Sequence, residues 1–127
     1  MNKEINIISS DPKVAKSNHA NKLFVYNGKS RKCIPANTIV MIQSLSNYST
    51  IYLQSGDKIL TSRTLKYWAS QLDSAFMVRT HQSFLINVDS IVSVEKRRIQ
   101  LKNNLEARIS RNISMRSFMN HFFARPA

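Results

Sequence analysis

The sequence predicts a mainly β protein with two short helices, and three observations support this fold class. Most apolar residues stand in short runs, many of them β-branched, and turn-forming residues separate these runs. Only two stretches place apolar residues at helical spacing. The 127 residues, 43% of them hydrophobic, suffice for one compact domain with a buried core.

Residues 1–21 differ from the rest of the chain. They are mostly polar, contain Pro12 and show no sustained hydrophobic period. We therefore expect a flexible or loosely docked N-terminal tail over residues 1–21 and a folded domain over residues 22–127.

The folded domain is predicted to begin with a β-hairpin. Residues 23–26 form an apolar run that ends at Asn27-Gly28, a pair that favours positive φ angles and is typical of a hairpin turn. The return strand covers residues 31–34 and ends at Pro35.

Further strands follow along the chain. Residues 38–42 are rich in β-branched side chains and are expected to be buried on both faces, whereas residues 44–49 are predicted to form a polar loop. Asn103-Asn104 is a plausible two-residue turn, because asparagine tolerates the left-handed conformation. The remaining predicted strands lie near residues 51–54, 58–61, 76–78, 84–86, 91–94, 99–101 and 105–109.

Two helices complete the prediction, and each has a capping residue, Thr64 for the first and Ser110 for the second. The first carries one apolar stripe, formed by Leu65, Trp68, Ala69 and Leu72. The second is expected to face the core with Met115, Met119 and Phe122.

The charge balance favours a polyanionic partner. Nineteen Lys and Arg residues against seven Asp and Glu residues give a formal net charge of +12, which attracts nucleic acid or an acidic membrane surface. No apolar run approaches the ~20 residues that a membrane-spanning helix needs. The start of the chain lacks the apolar stretch of a secretory signal, so we expect a cytoplasmic protein.

Residues that carry catalytic or metal chemistry are sparse. A single cysteine, Cys33, excludes an intramolecular disulfide and a cysteine-rich zinc site. The three histidines lie far apart, and two glycines are too few for a phosphate-binding or dinucleotide-binding loop. We expect no metal, no cofactor and no small-molecule substrate.

Residues 76–87, with the sequence FMVRTHQSFLIN, resemble a known family motif. The core of that motif is R-x-H-x-S-F/Y-hydrophobic-V/I-N, found in the LytTR family, the DNA-binding domain of LytR/AlgR-type bacterial response regulators. Three further motifs of the family occur in the expected order, S-x-x-N-Y within residues 42–48, R-T-L-K-x-W at residues 63–68 and I/V-S-R-x at residues 109–112. The four motifs together cover roughly residues 22–122.

The resemblance implies a mostly antiparallel β domain of several small sheets. It also implies a sequence-specific transcription regulator whose strand-end loops, in place of a recognition helix, enter successive major grooves of double-stranded DNA, with a homodimer on paired half-sites as one arrangement. Residues 1–21 cannot hold a receiver domain, since domains rarely fall below about 50 residues, so we expect a stand-alone module. The implied DNA-binding residues are Asn47, Tyr48, Ser49, Arg79, His81, Gln82, Ser83, Ser110, Arg111 and Asn112.

Side-chain chemistry suggests roles for these residues. The planar guanidinium of Arg111 suits guanine O6 and N7, and the amide of Gln82 suits adenine N6 and N7. Asn47 can do the same, although loop asparagines usually bond the backbone. At the position of Ser49, family members often carry a larger polar or basic side chain, which weakens the case for a base contact there. The phosphate donors are expected to be Ser83, Ser110 and Tyr48.

Several of these residues have a structural alternative. An ion pair with Asp89 is nearly as plausible for Arg79 as a phosphate contact. For His81 a hydrogen bond inside its own loop is favoured, since buried polar groups must be satisfied. Asn87 is expected to hold backbone together, and residues 96–98, with the sequence KRR, are expected to form a solvated turn.

Two other functions remain open at this point. A small basic ribonuclease could use His81 and His121 as acid and base together with a lysine. A peripheral membrane protein could use the closing helix, where arginines accompany an apolar stripe, although a folded domain needs that stripe for its own core.

Overall fold

A computed structural model of the chain describes residues 22–26 and 28–123, and this part contains ten β-strands and two α-helices. The strands are β1 Lys22–Tyr26, β2 Arg31–Pro35, β3 Ile39–Leu45, β4 Tyr48–Leu53, β5 Lys58–Thr61, β6 Met77–His81, β7 Phe84–Asn87, β8 Ile91–Glu95, β9 Arg98–Leu101 and β10 Glu106–Arg108. The helices are α1 Leu65–Gln71 and α2 Met115–Phe122. The mainly β class with two short helices is confirmed, whereas the predicted tail over residues 1–21 lies outside the described residues.

The strands form three small antiparallel sheets. The β1–β2 hairpin is a sheet of its own, and β10, β9 and β8 form a three-stranded meander. The remaining five strands form the central sheet, in the order β5-β4-β3-β7-β6. Several small antiparallel sheets were implied by the family resemblance, and the structure confirms them.

The central sheet has a hydrophobic core on each face. Ile39 and Ile42 of β3 belong to a first core, which β1, β2 and α1 complete. Val40 and Met41 belong to a second core, which β8, β9, β10 and α2 complete. These four consecutive residues are all buried, which confirms the burial on both faces predicted for this run.

Each helix packs against one of the two cores. In α1 the Thr64 hydroxyl accepts from the Tyr67 N–H over 3.1 Å, which confirms the predicted cap. The cap of α2 is Ser114, which accepts from the Ser117 N–H over 3.2 Å, so the prediction of Ser110 as the cap is wrong. The side chains of the α2 stripe pack against the second core, and they are Met115, Met119, Phe122 and the buried Phe118. In the described part of the chain, neither helix has the length and apolarity that crossing a bilayer requires.

The predicted polar loop over residues 44–49 is a tight hairpin. Strand β3 continues to Leu45 and β4 begins at Tyr48, so that only Ser46 and Asn47 form the turn. Cross-strand pairing explains the difference, because Ser49 pairs with β3 on one side and with β5 on the other. Polar side chains here therefore belong to strands of the sheet.

The structure at Asn103-Asn104 also differs from the predicted two-residue turn. Asn103 and Asn104 both have positive φ, at 63° and 59°, as their sequence predicted. They end a short 3-10 turn over Lys102–Asn104, however, and do not form a two-residue hairpin.

Candidate nucleic-acid interface

Two of the three predicted DNA-binding segments are neighbouring turns at one end of the central sheet. The β3–β4 turn consists of Ser46 and Asn47, and the β6–β7 turn consists of Gln82 and Ser83. Because β3 pairs directly with β7, the turns lie side by side, and the Ser44 N–H donates to the Ser83 carbonyl over 2.9 Å. We call this region the turn end of the sheet. The side chains of Asn47 and Gln82 are exposed there.

The third segment, residues 109–113, reaches the turn end along β6. The Ser110 N–H donates to the Thr80 carbonyl over 2.7 Å, and the Thr80 hydroxyl donates to the Arg108 carbonyl over 2.8 Å. These bonds hold the segment beside the last residues of β6, next to the β6–β7 turn. Arg111 and Asn112 are exposed. The structure thus brings all three predicted segments to one end of the domain.

The β6–β7 turn is held by its own side chains. The Arg79 guanidinium donates to the His81 carbonyl over 3.0 Å and to the Gln82 carbonyl over 2.8 Å. His81 Nδ1 accepts from the Ser83 N–H over 3.0 Å, and its ring lies edge-on to Phe84 at 5.7 Å. The structural hydrogen bond predicted for His81 is therefore present.

Two structural alternatives near this turn have different outcomes. The ion pair of Arg79 with Asp89 is wrong for the described residues, because the Arg79 guanidinium faces the carbonyls of its own turn. The backbone role of Asn87 is confirmed. Its Nδ2 donates to the Ile39 carbonyl over 2.9 Å, and its Oδ1 accepts from the Asp89 N–H over 2.9 Å.

The 109–113 segment is held by bonds within the segment and by Arg97. Within the segment, the Ser110 hydroxyl accepts from the Asn112 N–H over 3.2 Å, and the Ile113 N–H donates to the Ser110 carbonyl over 3.1 Å. Arg97, in the β8–β9 turn, donates from Nη1 to the carbonyls of Ser110 and Ile113 over 2.6 and 2.9 Å. The serine predicted as a helix cap instead stabilises this irregular segment.

Ser49 is the one predicted site residue that the structure buries. Its side chain has no exposed surface, whereas the adjacent Tyr48 is 53% exposed. The Ser49 hydroxyl donates to the Arg63 carbonyl over 2.8 Å, accepts from Trp68 Nε1 over 3.0 Å and lies 2.9 Å from the Thr61 hydroxyl. A side-chain contact of Ser49 with DNA is therefore wrong for this structure, because the hydroxyl belongs to a buried hydrogen-bond cluster.

A groove beside the turn end is lined by arginines from three separate stretches of the chain. We call it the arginine groove, and none of its lining residues is an acid. Its lining residues are Arg79, Thr80, His81, Gln82, Arg97, Arg98, Arg108, Ile109, Ser110, Arg111, Asn112 and Ile113. A concave surface lined by five arginines attracts phosphate, which a free guanidinium binds with two parallel hydrogen bonds.

Two of these arginines face each other across the meander. Arg98 of β9 and Arg108 of β10 are directly opposite in register, an arrangement that like charges disfavour. Arg98 also forms an ion pair with Glu106 over 2.9 Å, and both side chains are largely exposed. Such an exposed pair stabilises by at most about 1 kcal/mol, so Arg98 remains accessible to a stronger anion.

Sequence reasoning missed Arg97, Arg98 and Arg108 as candidate site residues. The KRR run is visible in the sequence, but the sequence does not show where it lies relative to the other segments. Arg98 and Arg108 each stand next to a buried strand residue, Ile99 and Ala107, and so point outward. This alternation is the signal that could have marked them as surface arginines.

The residues of the two alternative functions are placed elsewhere. His121 is exposed on α2 and does not line the arginine groove that includes His81. The apolar stripe of α2 packs against the second core, so it is not free to insert into a membrane. Neither arrangement supports the ribonuclease or the membrane-binding hypothesis.

Comparison with known proteins adds a family and a fold. The model of the family described as LytTr DNA-binding domain matches residues 29–122. A search of curated proteins finds no match. Among solved structures, the chain is similar to the LytTr DNA-binding domain of a protein described as a methyl-accepting/DNA response regulator from Bacillus cereus. The TM-score is 0.66 at 12% identity, with 83% of this chain and 98% of that chain covered, which shows a shared fold.

Proposed function

Because the chain belongs to the LytTR family of DNA-binding domains, we propose that it is a sequence-specific transcription regulator that binds double-stranded DNA through its turn end. The β3–β4 turn, the β6–β7 turn and the 109–113 segment enter successive major grooves, and the arginine groove receives the intervening backbone. Phosphate contacts then set the register, and base contacts supply the sequence preference.

One observation carries this proposal. Asn47, Gln82 and Arg111 come from three distant parts of the chain, yet all three are exposed at one end of the central sheet. The arginine groove lies next to them and is lined by no carboxylate. Exposed amide and guanidinium groups beside a cationic groove match a ligand that presents base edges next to phosphates.

We assign base reading to residues whose side chains can form bidentate hydrogen bonds with one base. Arg111 donates to guanine O6 and N7, and Gln82 donates to N7 and accepts from N6 of adenine. Asn47, in the β3–β4 turn beside the β6–β7 turn, is the third base-reading residue. Within the described residues, none of these three side chains bonds to the protein backbone.

The remaining residues contact the DNA backbone. Tyr48 is exposed beside Asn47, and Arg98 and Arg108 add charge that the sequence had not assigned to the interface. The full proposed phosphate-contacting set is Tyr48, Arg79, His81, Ser83, Arg98, Arg108, Ser110 and Asn112. Ser49 is omitted because it is buried.

Selection of bound duplexes from a random pool tests the proposal. We expect a consensus, and if two copies bind together, half-sites about 10 base pairs apart, centre to centre. Affinity for the consensus should fall steeply with KCl, because each neutralised phosphate adds about 0.9 to the slope of log K against log salt. A scrambled duplex should bind more weakly at every KCl concentration.

The result that contradicts the proposal is equally definite. If selection recovers no consensus and the protein binds every duplex alike, the domain binds DNA without sequence specificity, through its positive charge. If it prefers single-stranded nucleic acid, the major-groove geometry is wrong.

A further inference from the structure

We infer that Arg97 is a positioning residue for DNA recognition: it holds the 109–113 segment so that Arg111 and Asn112 face the ligand. The inference rests on the proposed function, because it assigns a role within the same interface. Arg97 stands outside every motif that led to the family.

The bonds of Arg97 converge on this one segment. Nη1 carries two N–H groups, and they reach the carbonyls of Ser110 and Ile113 over 2.6 and 2.9 Å. The Arg97 carbonyl in turn accepts from the Ile109 N–H over 2.9 Å. Main chain and side chain of one residue thus fasten both ends of the segment.

The two carbonyl bonds determine which residues point outward. A single nitrogen draws the carbonyls of Ser110 and Ile113 toward one point, and the Ile113 N–H also donates to the Ser110 carbonyl. Two residues lie between these bonded carbonyls in the sequence. They are Arg111 and Asn112, and both are exposed.

Without Arg97, few described bonds hold this segment. Strand β10 ends at Arg108. Without the Arg97 side chain the segment keeps two described backbone bonds to other elements, from the Ile109 N–H to the carbonyl of residue 97 and from the Ser110 N–H to the Thr80 carbonyl. Bonds from a charged donor to two carbonyls are stronger than neutral ones, and Arg97 is partly shielded from water. Its loss should leave the fold intact and the segment mobile.

Arg98 is the matched control. It is the next residue, it carries the same charge and it lines the same groove, but its side chain is 64% exposed and pairs with Glu106. A role in phosphate attraction would be shared by the two arginines. A role in positioning would belong to Arg97 alone.

The experiment compares Arg97→Lys with Arg98→Lys in the full chain, on the selected duplex and on a scrambled one, across a KCl series. Lysine keeps the charge, but its nitrogen lies one bond closer to the backbone and lacks the planar fork. We expect R97K to lower the ratio of specific to non-specific affinity about tenfold, with an unchanged salt slope on scrambled DNA. R98K alters a proposed phosphate contact and should weaken binding to both duplexes alike, so that the ratio does not fall. A wild-type ratio in R97K overturns the inference.

A double-mutant cycle separates positioning from general damage. In an Arg111→Ala background, R97K should cost less than threefold in the same ratio, because the residue that it positions is gone. If R97K costs as much with Arg111 absent as with Arg111 present, Arg97 does not act through that side chain and the inference fails.

Amide hydrogen exchange in the free protein tests the inference without DNA. R97K should speed the exchange of the Ile113 amide at least tenfold relative to wild type, whereas R98K should not. Unchanged exchange in R97K overturns the inference even if the domain proves specific. Failure of the wild-type protein to prefer any duplex would overturn the proposed function instead.

Discussion

The β6–β7 turn and the 109–113 segment present side chains at the same end of the molecule, but different interactions hold them. In the turn, Arg79 and His81 bond to backbone groups two or three residues away. In the segment, Arg97 bonds to carbonyls 13 and 16 residues away in the sequence. One part of the interface is locally determined, and the other depends on tertiary structure.

This difference indicates which part of the candidate interface keeps its shape without distant tertiary contacts. A turn whose bonds are sequence-local re-forms whenever its strands pair, since little chain entropy opposes it. The 109–113 segment needs the β8–β9 turn to be folded and correctly placed before it acquires its shape. Substitutions in these two regions should therefore separate effects on base reading from effects on local stability.

The largest expected effect lies in the tertiary-held segment. Arg111→Ala should lower affinity for the selected duplex by about 1–3 kcal/mol and relax the preference at one position of the site. The measurement is a titration of both selected and scrambled duplexes. Arg116→Ala, which removes an exposed arginine of α2 outside the arginine groove, is the control. Equal losses on both duplexes would contradict the base-reading role.

The corresponding change in the locally held turn is Gln82→Ala. Its neutral amide should contribute about 1–2 kcal/mol of discrimination at a different base pair from that of Arg111. Because the Gln82 side chain has no part in the described turn bonds, stability should stay at its wild-type value. Repeated selection with the variant measures the change, and an unaltered consensus would remove Gln82 from the readers.

Arg79→Met tests the local bonds themselves. Loss of two exposed hydrogen bonds to the turn carbonyls should lower the free energy of unfolding by about 1 kcal/mol. Urea denaturation measures this, with Arg31→Met of β2 as a control for loss of one exposed positive charge. Exchange of the Ile109 and Ile113 amides should not change, and faster exchange there would show that the two regions are not independent.

The smallest effect is expected for Ser110→Ala. The lost bond from the Asn112 N–H is exposed, so stability should change by about 0.5 kcal/mol or less. Because Arg97 still holds the segment, specific affinity should fall by about twofold, which is measurable by direct titration beside Ser117→Ala of α2. A loss as large as that of R97K would shift the positioning role from the arginine to the serine.

The fold was predictable wherever its signals are local. Thr64 precedes a helical stripe and caps α1, and the run around Ile42 is buried on both faces as its composition predicts. The error over residues 44–49 has one cause. A polar run is typical of a loop, but Ser49 is the buried centre of a hydrogen-bond cluster that the pairing of β4 with β5 and the packing of α1 assemble.

The site was predictable as a set of segments but not as an assembled surface. Family motifs marked Asn47, Gln82 and Arg111, and the antiparallel pairing of β3 with β7 explains why two of them are neighbours. Arg97 could not be assigned from sequence. Its partners are backbone carbonyls, which no residue type identifies, and their position depends on how the meander packs on the sheet.

Each helix packs against one hydrophobic core, and both faces of the central sheet are covered. In the described part of the chain, neither helix is therefore free to lie in a groove of a duplex, and the proposed recognition depends on a few side chains at the turn end. Those side chains contribute nothing to either core. Under the proposed function, a new DNA target sequence can consequently evolve by exchange of exposed residues at the turn end, while the fold and its stability stay the same.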